Sequence, residues 1–74
     1  MTNTLDVRPD LAEGREPFGR IMQAAANLEP GERLVVIAPF EPVPLYGVLA
    51  SQGFVHEANR TGDGAWEVIF TRNT

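Results

Sequence analysis

The residues best placed to do chemistry are Gly14-Arg15-Glu16-Pro17, where an acidic, glycine-interrupted segment meets the apolar-periodic stretch that starts at Phe18. A helix beginning there would present its first amide groups and its positive dipole end, with Arg15 and Arg20 alongside. That combination suits an anion such as phosphate, a carboxylate or sulfite. A plainer arrangement competes with it: the carboxylate of Asp10, Glu13 or Glu16 caps the same amides as an ordinary acidic first turn.

Other chemistry is excluded residue by residue. The chain has no cysteine and its six basic residues are all arginine. Thiolate metal sites, disulfides, Schiff-base lysine and a phosphate-loop lysine are therefore ruled out. His56 is the sole histidine, and a metal there would need three carboxylates to converge on it, which no spacing predicts. It reads instead as a strand residue on the face of Phe54 and Ala58. Ser51, the sole serine, falls on a helix with nothing to activate it. Glu29 and Glu32 bracket Pro30-Gly31 in a solvated turn, and Glu41 stands where it could cap the helix that follows Pro42. Two carboxylates working as acid and base would need a cleft, which a domain this small seldom provides. The expectation is no catalytic residue, no metal and no cofactor.

Loop aromatics beside prolines point elsewhere. Phe40, Val43 and Tyr46 lie in or next to a proline-spaced segment, and exposed aromatics are enriched at interface centres. The alternative is that they fold back over the core; for Trp66, on an alternating strand, that alternative is the better one.

The elements that must position these residues follow from periodicity. After a polar tail (1–4), Leu5–Arg8 reads as a short strand stopped by Pro9. Pro17 suits a first helical turn, where its missing amide hydrogen costs nothing. Phe18, Ile21, Met22, Ala25 and Leu28 then recur on one helical face until Glu29-Pro30-Gly31-Glu32 ends it. Leu34–Ala38 is apolar on both faces, as a central strand should be. Pro44 opens a second helix carrying Leu45, Val48 and Leu49, with Gly53 as its left-handed cap. Phe54–Arg60 and Ala65–Arg72 flank the turn Thr61-Gly62-Asp63-Gly64, and Trp66, Val68 and Phe70 form the buried side of the last strand. The order βαβαββ, with a right-handed crossover, predicts an α/β chain of the α+β two-layer type: a four-stranded mixed sheet, both helices packed on one face, the other face open. Residues 1–74 form one domain, with 1–4 and 73–74 as flexible tails.

This order and spacing resembles the TusA-like (SirA-like) sulfur-carrier superfamily across nearly the whole chain, and more closely its cysteine-free branch, a bacterial domain of unknown function. The resemblance is carried by Leu5-Asp6, by Pro30-Gly31-Glu32 before the second strand, and by Glu41-Pro42-Val43-Pro44-Leu45-Tyr46. It implies the same fold. The sulfur carriers hold a persulfide on the cysteine of a Cys-Pro-x-Pro motif at the start of the first helix. Counting back from Pro30-Gly31-Glu32 sets that motif on Gly14–Pro17, where only Pro17 survives and glycine stands in place of cysteine. The fold carries over; the sulfur relay does not. The cysteine-free branch has His-Asp where this chain has Phe40-Glu41, so the role of that histidine does not carry over either.

Size and charge bound the partners. A chain of 74 residues buries only about 60% of its unfolded surface, and without disulfide or metal support self-association as a homodimer is an expectation. A net charge of −4 argues against nucleic acid and anionic membrane. The N-terminus has no signal-peptide pattern and no apolar run reaches spanning length, so the chain is expected to be cytoplasmic. The leading functional expectation is a non-catalytic interaction module that docks on a protein partner or on itself, through Gly14, Arg15, Glu16, Pro17, Arg20, Phe40, Glu41 and Tyr46. The rival is a binder of a small anion or sulfur oxyanion serving a sulfur-transfer or redox enzyme. Nucleic-acid binding, by analogy with related folds in translation, is disfavoured by charge.

Overall fold

A computed structural model describes residues 2–73. Their elements run β1 (Thr2–Asp6), α1 (Arg8–Ala12), α2 (Phe18–Ala26), β2 (Arg33–Ala38), α3 (Val43–Ala50), β3 (Phe54–Arg60) and β4 (Trp66–Arg72). The strands form one sheet in the order β1-β2-β4-β3. β1 pairs in parallel with β2, while β4 is antiparallel to both β2 and β3. The mixed four-stranded sheet and its two-layer α+β build agree with expectation, and the apolar run Leu34–Ala38 lies inside the sheet.

Alternation decides which side is covered. Leu34, Val36 and Ala38 of β2 and Val68 and Phe70 of β4 are buried against the helices, whereas Val35, Ile37 and Ile69 on the opposite face stay half-exposed. The helices close the core with Ile21 and Ala25 from α2 and Leu45 and Leu49 from α3.

Three details correct the sequence reading. The first strand starts at Thr2, within the expected tail, and ends at Asp6 rather than Arg8. Pairing with β2, from Thr2↔Arg33 to Asp6↔Ile37, draws in polar residues that no apolar pattern marks. Residues 8–12 form a helix, so the described residues contain three helices rather than two; Pro9 sits in the first turn of α1, where it starts a helix instead of only stopping a strand. Finally, α2 stops at Ala26, yet Leu28 beyond it is still 1% exposed. Its amide bonds the Ala25 carbonyl at 3.1 Å, so the chain keeps the side chain inward while leaving the helix. Residues 1 and 74 of the expected tails lie outside the described residues, and the Asn73 amide is tied to the Gly53 carbonyl at 2.8 Å.

Candidate functional site

The segment 14–17 does two local jobs. Gly14 has φ 75°, the left-handed region that glycine enters without strain. Its amide bonds the Leu11 carbonyl at 3.1 Å, and the Arg15 amide bonds the Asp10 carbonyl at 2.8 Å. This pair of bonds is the Schellman termination of a helix, with glycine just past the cap. Gly14 thus ends α1. Glu16 then begins α2: its carboxylate accepts the Phe18 amide, one of the donors a helix start leaves unsatisfied. The acidic-turn arrangement is the one the molecule uses, with Glu16 as the acid.

Asp10 and Glu13 have other partners. The carboxylate of Asp10 is 7% exposed and receives Arg20 Nη1 at 2.5 Å on each oxygen. This clamps α1 to α2, and the Arg20 bond holds the Asp10 carboxyl below its usual range, with desolvation opposing it. Glu13 meets Arg15 at 3.4 Å, both side chains well exposed. The amides of Gly14, Arg15 and Phe18 and the side chains of Arg15 and Arg20 thus each have a partner within the chain.

On the other side of α2's start lies an apolar groove of about 210 Å³. It is lined by Val36 and Ala38 of β2, by Val7 at the N-cap of α1 and Leu11 within it, and on one side by Pro17, Phe18 and Ile21. The opposite wall is Phe40, Pro42, Pro44 and Leu45. Pro17 and Pro42 are buried, while Phe18 and Phe40 stand 41% and 53% exposed at the rim. Among the described lining residues, Glu16 is the one that carries a charge.

Glu41 and Tyr46 form a third group. The Tyr46 hydroxyl donates to Glu41 Oε2 at 3.1 Å, so the Glu41 side chain is bound to the phenol and makes no cap on α3, whose start has no side-chain cap bond. The Tyr46 ring stacks on His56 with centroids 3.9 Å apart and planes 8° from parallel. Burial, then the Glu41 bond, pushes the phenol up to about 12. His56 is exposed on the edge strand β3, in the strand role its pattern indicates. Trp66 is half-buried, with the Arg60 guanidinium 5.9 Å from its ring centre.

The eight residues singled out from sequence thus divide. Glu16, Pro17 and Phe40 come together in the groove; Gly14, Arg15 and Arg20 belong to the α1–α2 junction; Glu41 and Tyr46 lie with His56. Sequence reasoning missed Phe18, assigned to the core face, and Val7 and Leu11, which reach the groove only because α1 forms. A bulky ring directly after a first-turn proline was the signal for Phe18. Among the described residues no cluster of three His, Cys, Asp or Glu could hold a metal ion, and no helix is long and apolar enough to cross a membrane.

Residues 4–72 match the model of a family described as an uncharacterized conserved protein, DUF2249. The chain belongs to the DUF2249 family. No curated protein and no solved structure gives a match. The DUF2249 match runs from within β1 through β4, so the groove and all eight residues fall inside it, and it agrees with the resemblance to a domain of unknown function.

Proposed function

We propose that this DUF2249 chain is a non-catalytic protein-docking module, a relative of the sulfur carriers that has kept the fold and given up the carrier chemistry. The observation that carries the reading is the groove: an apolar depression with two exposed phenyl rings at its rim, beside the start of α2 and a few residues past Gly14, where the resemblance sets a sulfur carrier's cysteine. Such rings are the residues that make interface anchors. Prolines at 17, 42 and 44 stiffen both walls, so little conformational freedom is lost on binding. The kinship rests on the spacing of the sequence motifs, and Gly14 would account for the missing cysteine physically: it terminates α1 in a conformation that a side chain at this position would strain.

The volume favours a protein partner over a cofactor. Small-molecule sites generally run from about 300 to 1,000 Å³, and an apolar cavity of about 150 Å³ already holds one benzene ring. The groove is of side-chain size. The anion reading is weaker, because both arginines and the amides of Gly14, Arg15 and Phe18 are already bonded to Asp10, Glu13, Glu16 and backbone carbonyls.

The test is quantitative affinity capture with the wild-type chain and with Phe40→Asp, a change at an exposed loop residue, and Phe18→Ser as a second variant. The reading expects at least one protein recovered by the wild type and lost with both variants, while their amide spectra stay those of the folded domain. Identical recoveries from all three would overturn it.

A further inference from the structure

We infer that the groove takes a large apolar side chain that is flanked, in its own chain, by arginine or lysine. This rests on the docking reading and specifies the partner's chemistry.

The charge around the mouth carries the argument. Asp10 and Arg20 neutralise each other, as do Glu13 and Arg15. Glu16, in the groove lining, and Glu41, between the lining residues Phe40 and Pro42, are paired with no cation among the described residues. Both are exposed. A segment entering the groove therefore passes Glu16, an acid that lacks a counter-charge, while Glu41, bonded to the Tyr46 hydroxyl outside the lining, adds negative charge from beside Phe40 and Pro42. Cationic neighbours of the inserted side chain would answer them, and acidic neighbours would be repelled. The exposed rings of Phe18 and Phe40 are partners that cations, above all guanidinium, can approach. The interior offers a carbon lining to the inserted group itself, so charge selects the flanks and apolar burial supplies the anchor.

The test uses the whole 74-residue chain, isotopically labelled, and three capped pentapeptides: Ala-Arg-Phe-Arg-Ala, Ala-Glu-Phe-Glu-Ala and Ala-Arg-Ala-Arg-Ala. The first should move the amide signals of Glu16, Phe18, Gly19 and Phe40 in the millimolar range. It should bind at least about threefold tighter than the second, a modest ratio because exposed ion pairs are weak. The third should leave those signals in place. Glu16→Gln, which keeps an oxygen to accept the Phe18 amide, should reduce the preference for the basic peptide about twofold or more. Equal binding of the acidic and basic peptides would overturn the inference, as would no groove shift with any of them. Groove signals that move with protein concentration alone would overturn it too, by assigning the site to a second copy of the chain. Peptide failure with the Phe40→Asp capture difference intact would leave the docking reading standing; failure of both would remove it.

Discussion

At the scale of single residues, the polar side chains of the conspicuous segments serve the fold, and two of them should show it by titration. The carboxyl of Asp10 is held below its usual 3.8, chiefly by the Arg20 hydrogen bond. A carboxyl depressed in the folded state adds stability that is present above 3.8 and is lost as the pH falls through and below it. Asp6, bonded to Arg8, and Asp63, bonded to Thr61, are shifted in the same direction. The domain should therefore weaken on acidification below about pH 4, and Asp10→Asn should show a smaller drop, read from urea midpoints across that range. Tyr46 acts at the other end. Its phenol is raised from 10.0 to about 12, so the stability it adds is complete below pH 10 and is lost as the pH climbs toward 12. Because the chain has one tyrosine, phenolate absorbance reports it directly: a midpoint near 12 is expected in the folded chain, and Tyr46→Phe should remove the alkaline loss of stability.

At the scale of elements, the strands with a plain apolar alternation and α3 were legible from sequence, because one-sided burial writes a period into the residues. The Trp66–Arg72 strand is an example, while the doubly apolar Leu34–Ala38 run was legible as an interior strand. What escaped was set by partners rather than by pattern. Thr2–Thr4 becomes strand because β2 offers it a parallel edge, and α1 is five residues long, too short to show a helical period. Its helical character lies in its ends, Pro9 at the start and Gly14 after the cap, and these two residues also read as a strand stop and a loop. The candidate site was half legible for the same reason: Glu16, Pro17 and Phe40 came from loop chemistry, while Val7 and Leu11 depended on α1. If Gly14 is there to end α1, Gly14→Ala should destabilise the domain by about 1 kcal/mol through its left-handed φ alone. A β-carbon at Gly14 would meet nothing within 4 Å, so no clash adds to that figure. Chemical denaturation measures it, and an unchanged midpoint would remove the capping role.

At the scale of the molecule, one sheet face carries the core and the groove is a surface depression over its edge, between the start of α2 and the loop before α3. Phe70 is 1% exposed and its ring lies 6.4 Å from Tyr46 and 6.1 Å from His56, so it joins the core to the Tyr46 cluster. Phe70→Ala should cost about 3–5 kcal/mol. That is comparable with the whole stability of a domain this small, at about 0.05–0.15 kcal/mol per residue, and thermal melting should show partial or complete unfolding at ambient temperature. The central claim, that the chain works by binding through the groove, is tested most directly by site-specific photo-crosslinking in cells. A photoreactive side chain replaces Phe18 or Phe40 at the rim, and Val55, 53% exposed on the opposite sheet face, in the control. The account predicts a discrete crosslinked protein from positions 18 and 40 and none from position 55. Adducts from position 55 alone, or from no position, would contradict it.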